Sequence, residues 1–281
     1  MLNYLFCKVG EFLACIFPWR IAYGISIILA NLQFTISKKD RDAVINNLRI
    51  ILPNEDKKVL LRKAKEVFIN FGLYLVEFFR FSKIDRDYVN KHFFVSGKEH
   101  IDKALKKGKG VVLLAAHMGN WELGGMALSL LGYPLMVIAL DHKNPKVNEF
   151  FKNRRQSKGI EVVSLGTSIK QCYRGLKENK IVALLGDREF GDSGYPLEFL
   201  GRTKIIPRGA AVLALRTGAS LVPAFVTRQG LDQLRLDCLP ELEIKQGESE
   251  LEIIKKYAGI IEGQIRKNPS QWLMFREFWK E

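Results

Sequence analysis

The 281 residues include 44 Lys and Arg against 30 Asp and Glu, a formal net charge of +14 with a pI near 9.6, and 47% of them are hydrophobic. That length suits one large domain or two small ones with a sizeable core, and the basic excess points to an anionic partner: a membrane surface, a nucleic acid or an acidic carrier protein. No nucleic-acid-binding motif is present, and Cys7, Cys15, Cys172 and Cys238 are scattered without a C-x-x-C pair, which argues against a disulfide framework or a thiolate metal site and for reduced cytoplasmic thiols.

The chain opens on a hydrophobic stretch. Residues 21–36 carry no charge, but as a helix they reach only about 24 Å, short of the ~30 Å hydrocarbon core of a bilayer. Pro18, Trp19 and Arg20 interrupt the apolar run upstream as an interfacial anchor does, and no signal-peptidase-like site follows. A marginal transmembrane helix, an interfacial helix and a buried core helix are all open. Membrane embedding is favoured because Lys38, Lys39 and Arg41 follow at once, as a cytoplasm-facing basic stop would. The simplest division is a membrane-binding segment over 1–36 and one folded domain over 37–281.

Ser37 and Asp40 suggest a capping box. Val44, Leu48, Ile51 and Leu52 then keep helical spacing until Pro53, and Asn54 is placed to cap a second helix. Leu60, Ala64, Val67, Phe68, Phe71, Leu75, Phe78 and Phe79 form its long apolar face, for which packing on a sheet is the simplest role. His92 and His100 lie in polar surroundings and read as surface residues.

From 111 the pattern changes. Residues 111–116 are a continuous apolar run bounded by Gly110 and His117, the signature of a buried strand. Asn120 is an N-cap, Glu122 an acid in the first turn, and Leu123, Met126, Ala127 and Leu130 share one helical face. Apolar runs at 135–140, 160–164, 181–185, 221–227 and 234–239 read as further strands, and 147–158, 169–178, 208–216 and 251–266 as helices. This alternation predicts an α/β fold, a mostly parallel mixed sheet flanked by helices, behind the N-terminal hydrophobic membrane-binding helical segment.

His117 therefore sits at the carboxyl end of a buried strand, where open α/β sheets bind ligands. Its spacing to Glu122 is H-x-x-x-x-E. A tight turn would bring that carboxylate back to the imidazole, making His117 a general base whose tautomer Glu122 fixes. Gly119 keeps the backbone close and offers an N–H to an oxyanion. The plainer alternative is a histidine that ends a strand and an acid that caps a helix. Asp187, Arg188 and Glu189 follow the strand 181–185 at the same rim, with the carboxylates suited to a sugar or glycerol hydroxyl and Arg188 to a phosphate. A solvated charged turn is the competing reading. Pro196 to Gly218 form a basic loop and then a helix introduced by Pro207, with Arg202, Lys204 and Arg208 around its N-terminus as a phosphate cradle or as ordinary exposed cations. No metal site is expected from these carboxylates, because no histidine is suitably placed in sequence.

His117-Met118-Gly119-Asn120-Trp121-Glu122 resembles the H-x-G-N-W-E form of the H-x4-D/E motif in the bacterial lipid A biosynthesis (lauroyl/myristoyl) acyltransferase family, within the lysophospholipid acyltransferase superfamily. The likeness can be followed from about Ser37 to the C-terminus. The segment INNLRIILP with the helix ending LVEFFRF, the block Gly186-Asp187-Arg188-Glu189, the block Phe199-Leu200-Gly201-Arg202 and the close Gln271-Trp272-Leu273-Met274 are each similar to family features. The chain departs at Leu140, where the family often has an arginine four residues before Asn144-Pro145; Lys143, Arg154 or Arg155 is then left to meet an anion. Met274 stands where the family has a second Trp.

The resemblance implies a membrane-bound O-acyltransferase at the bacterial inner membrane, its catalytic domain facing the cytoplasm. His117, assisted by Glu122, deprotonates a lipid hydroxyl, which attacks a fatty acyl thioester on acyl carrier protein or coenzyme A. It implies a glycolipid acceptor such as a lipid A precursor, with no nucleic acid as partner and no cofactor beyond the thioester co-substrate. Another phospholipid or glycolipid acceptor is the first alternative. A non-enzymatic basic protein docking on anionic membrane lipid is the reading from a different class. A serine hydrolase is disfavoured, because Ser193 in Gly191-Asp192-Ser193-Gly194 lacks a strand-to-helix elbow.

Overall fold

The computed structural model describes residues 2–164, 168–189 and 193–280; Gly191 and Asp192 of the serine motif lie outside the described residues. The chain begins with four helices, α1 (Leu2–Ile16), α2 (Trp19–Ile36), α3 (Lys38–Ile51) and α4 (Lys57–Phe79). After a short helix α5 (Arg86–His92) come β1 (Phe93–Ser96), α6 (Lys98–Leu105), β2 (Val111–Ala115), α7 (Trp121–Leu130), β3 (Leu135–Ala139), α8 (Pro145–Gln156), β4 (Glu161–Ser164), α9 (Ser168–Lys177) and β5 (Ile181–Leu185). A hairpin, β6 (Gly194–Phe199) and β7 (Arg202–Pro207), precedes α10 (Gly209–Thr217), β8 (Ser220–Arg228), β9 (Leu234–Cys238) and α11 (Glu250–Lys267).

The strands form one mixed sheet in the order β1-β9-β8-β2-β5-β3-β4. Every neighbouring pair is parallel except β8 with β9. The α/β architecture is thus as the sequence alternation predicts. β2 lies in the middle and is apolar on both faces, which is why its sequence is a run rather than an alternation. Val112 and Leu114 pack toward α9, α10 and α11, while Val111 and Leu113 pack toward α6 and α7. All four cysteines are free thiols.

The N-terminal helices build a smaller helical layer. α2 lays Ala22, Tyr23, Ser26 and Ala30 on α4, and Gly72 permits the close approach: a Cβ there would stand 2.6 Å from Ser26 Oγ. The opposite sides of α1 and α2 expose Leu5, Phe6, Phe12, Ile16, Ile28, Leu29, Leu32 and Ile36. No single described helix is long and apolar enough to cross a membrane; α2 with α3 passes the test only as a pair bent by 91°.

Three local expectations change. Asp56, not Asn54, caps α4, its carboxylate accepting the Val59 N–H at 2.8 Å. Ser37 makes no capping bond to the α3 backbone, and its hydroxyl bonds the Asp40 carboxylate instead. The basic stretch before Pro207 is a two-stranded hairpin rather than a loop, with Pro196 tolerated because the antiparallel pair has open edges.

Candidate active site

The site follows from strand register. β2 and β5 are parallel neighbours with Ala115 opposite Leu185, and the Gly186 N–H extends the ladder to the Ala115 carbonyl. Two residues beyond each strand end lie His117 and Asp187. They meet: His117 Nδ1 is 2.9 Å from Asp187 Oδ1. The same carboxylate accepts the His117 backbone N–H at 3.1 Å and the Trp272 indole N–H at 2.9 Å. Asp187 is fully buried. Burial opposes its ionisation, but the His117 ring and N–H and the Trp272 N–H outweigh it and hold the carboxyl below its usual range. An ionised carboxylate only accepts, so Nδ1 carries the proton and Nε2 is the basic nitrogen of the neutral ring. That is the arrangement of a general base with its orienting acid.

This corrects two sequence expectations. Glu122 does not fold back to His117. It holds Arg155 of α8 in a two-pronged pair, at 2.6 Å from Nη2 and 2.9 Å from Nε. The H-x-x-x-x-E spacing fails as a dyad because α7 begins at Trp121 and carries Glu122 to the α8 side of the turn. The Arg155 guanidinium is buried, which disfavours its charge, yet the Glu122 carboxylate more than offsets this and raises its pKa. Asp187, in turn, is no hydroxyl-binding group, since its oxygens are taken by the histidine and the tryptophan.

The turn that carries His117 is braced from beneath. Gly119 has φ +58° and a Cβ there would lie 2.1 Å from the Val226 carbonyl oxygen, so only glycine fits. Its N–H donates to the Gln271 carbonyl at 2.8 Å. It is therefore not an oxyanion donor, contrary to the sequence expectation. The Leu273 N–H donates to the His117 carbonyl. Asn120 is wholly buried and caps α7 through the Leu123 N–H, so it serves the turn and not the substrate.

Around His117 opens a cavity of about 450 Å³, within the usual range for small-molecule sites. Its mouth includes His117, Glu122, Arg155, Arg188, Glu189 and the edge of Trp121, whose ring centroid is 5.1 Å from that of His117. Its walls are apolar. Leu236, Val226, Leu113, Ala183 and Val137 come from five adjacent strands, and Gly124, Gly125 and Leu128 of α7 face them. Four inter-strand spacings make that wall about 19 Å across. Arg188 and Glu189 are thus brought to the rim with His117, as expected.

The phosphate cradle is not formed as expected. Arg202 begins β7 and Arg208 follows its end, some 20 Å apart at ~3.3 Å per residue. Lys204 lies over the Phe278 ring, Arg208 pairs with Glu250 at 3.5 Å, and Arg202 lines a separate cleft with Arg49 and Arg266. Of the cations offered in place of the residue at Leu140, Arg155 faces the cavity, Arg154 pairs with Glu11 of α1, and Lys143 is exposed.

Sequence reasoning passed over two groups. Trp272 enters the sequence reading only as part of the family-like close, with no role of its own, yet its indole N–H donates to the Asp187 carboxylate. Glu77 was not singled out, although a charged residue inside the apolar face of LVEFFRF was a visible signal; it is fully buried and pairs with Arg228.

A mixed α/β sheet thus carries a histidine–aspartate pair at the mouth of an apolar-walled cavity. The profile of the bacterial lipid A biosynthesis acyltransferase family matches residues 2–281, and the chain belongs to that family. It is an acyltransferase. It is 28% identical over 214 residues to a phosphatidylinositol mannoside acyltransferase of Mycolicibacterium smegmatis, covering 75% of this chain and 70% of the relative. It is 24% identical over 246 residues to a lipid A biosynthesis palmitoleoyltransferase of Escherichia coli K12, covering 86% and 79%.

Proposed function

We propose that the chain moves a fatty acyl group from a thioester of acyl carrier protein or coenzyme A to a hydroxyl of a glycolipid. The observation that carries this is the His117–Asp187 pair at the polar mouth of a cavity whose long wall is apolar. The acyl chain lies along that wall with its thioester carbonyl at the mouth. His117 Nε2 takes the acceptor hydroxyl proton as its oxygen attacks the carbonyl, and Asp187 stabilises the imidazolium. The tetrahedral intermediate collapses, the C–S bond breaks, and the thiolate takes the proton from His117. The products are the lipid ester and a free thiol, and the reaction needs no cofactor. Arg155 and Arg188 at the mouth suit the negative charge of the oxyanion or of an acceptor phosphate.

The acceptor is a lipid A precursor or a phosphatidylinositol mannoside, the two classes in the names of the relatives. The enzyme works on the cytoplasmic face of the bacterial inner membrane. The exposed apolar sides of α1 and α2, together with the +14 charge, favour helices lying in an anionic interface over a span. The test supplies radiolabelled palmitoyl thioester of either carrier to vesicles holding one acceptor at a time. Label in a glycolipid supports the reading and picks the acceptor. Thioester turnover with label only in another lipid class refutes the glycolipid assignment.

A further inference from the structure

Glu77 has no contact with substrate in the mechanism above, yet it is a fully buried charge behind the turn that carries His117. Its side chain is 0% exposed and that of its partner Arg228 is 9% exposed. Its carboxylate accepts from Arg228 Nη2 at 2.6 and 2.7 Å, from the Tyr23 hydroxyl at 2.7 Å and from the Asn120 amide at 2.6 Å. A buried acid in the apolar face of α4 carries a desolvation penalty, so its full set of partners is what makes it tolerable. Those partners are also informative in where they lead.

Two routes run from this carboxylate to the turn that carries His117. The first is direct: Asn120 gives one end of its amide to Glu77 and the other to the first turn of α7, where Oδ1 accepts the Leu123 N–H. The second passes through Arg228. Gln271 brackets the Arg228 backbone, accepting its N–H at 2.7 Å and donating to its carbonyl at 2.9 Å. The Gln271 carbonyl then accepts the Gly119 N–H. Gly119 and Asn120, the second and third residues after His117, are both tied to the same carboxylate. Asp187 and Trp272 fix the imidazole ring; this network fixes the backbone from which the ring projects.

We propose that Glu77 is a positioning residue for acyl transfer, holding the Gly119–Asn120 turn so that His117 meets both Asp187 and the acceptor hydroxyl. The inference rests on the acyl-transfer reading above. It predicts an effect on kcat with the thioester KM unchanged, because Glu77 acts on the base and not on the cavity wall. General destabilisation would instead lower the active fraction and the melting temperature together.

The test exchanges the two groups. Asn120→Asp keeps a good helix cap but sets a carboxylate against Glu77. The pair Glu77→Gln with Asn120→Asp restores one amide facing one carboxylate. Thioester turnover is measured with palmitoyl-coenzyme A in vesicles containing a lipid A precursor or a phosphatidylinositol mannoside, whichever the vesicle assay above selects, beside wild type and His117→Ala. Those two controls judge the acyl-transfer reading first, so its failure is separate from failure here. Asn120→Asp is expected to lose ~100-fold in kcat, the scale of a misplaced catalytic group, with KM unchanged. The double variant recovers about tenfold or more of that loss, as coupled neighbours do. Should Asn120→Asp fail to fold, Glu77→Asp, which withdraws the carboxylate by one methylene, is expected to lower kcat at constant KM. Wild-type kcat in the folded Asn120→Asp or Glu77→Asp variant, or a folded double variant no better than Asn120→Asp, overturns the proposal.

Discussion

Replacing Asp187 with Asn tests the site's electrostatics with almost no change in shape. In the wild type three donors converge on one buried carboxylate: His117 Nδ1–H, the His117 backbone N–H and the Trp272 indole N–H. An amide offers one oxygen in place of two and turns an NH2 toward donors. At least one donor then loses its acceptor, which costs about 1–3 kcal/mol in a buried setting. The imidazolium formed during proton transfer loses its counter-charge, and the ring loses what fixes its tautomer. We expect kcat to fall by about 10²–10⁴ with little change in the thioester KM, read by thiol release from a palmitoyl thioester. The pH dependence has a definite sign. Despite burial, the histidine and tryptophan donors hold the Asp187 carboxyl below its usual range. A depressed folded pKa contributes stability above the unfolded value of about 3.9, and that contribution is lost as pH falls through the folded value. The stability difference between wild type and Asp187→Asn, from urea titrations, should shrink as pH falls below about 4. Wild-type kcat in a folded Asp187→Asn protein would refute the reasoning.

Three further outcomes are expected. Gly119→Ala pushes a Cβ into the Val226 carbonyl at a positive φ and should lower the unfolding free energy by more than about 2 kcal/mol, seen as a reduced urea midpoint. Glu122→Gln leaves the buried Arg155 without its counter-charge and should destabilise by about 3 kcal/mol; adding Arg155→Met should restore stability but not activity, and a double variant as unstable as the single one would count against this. Gly125→Val adds bulk to a cavity wall that has only Leu135 nearby, at 3.4 Å, and should shift donor preference toward shorter acyl thioesters in a competition assay, whereas an unchanged chain-length profile would place the acyl chain elsewhere.

Much of the scaffold was legible because its signals are local. The apolar run after Gly110, the Asn120 cap and the strand–helix alternation follow from burial and capping rules, and each corresponds to an element of the fold. What escaped the sequence depends on register. His117 and Asp187 are 70 positions apart and meet because β2 and β5 pair with Ala115 opposite Leu185, a pairing no local pattern announces. The nearer acid, Glu122, was the natural candidate from spacing, but helix geometry turns it toward α8. Spacing likewise gathered Arg202, Lys204 and Arg208 into one cluster, and an extended β7 draws them apart. The role of Trp272 depends on the C-terminal segment returning to the centre of the sheet, where the Met118–Trp272 bridge brings it against the catalytic turn.

The central claim is that His117 Nε2 is the base for acyl transfer. The most direct test supplies a radiolabelled palmitoyl thioester and the preferred acceptor in vesicles to wild type and to His117→Ala, and scores labelled lipid and vesicle binding on the same samples. The account predicts labelled acceptor with the wild type, none above background with His117→Ala, and equal vesicle binding by both. Labelled acceptor formed by His117→Ala at the wild-type rate would contradict it.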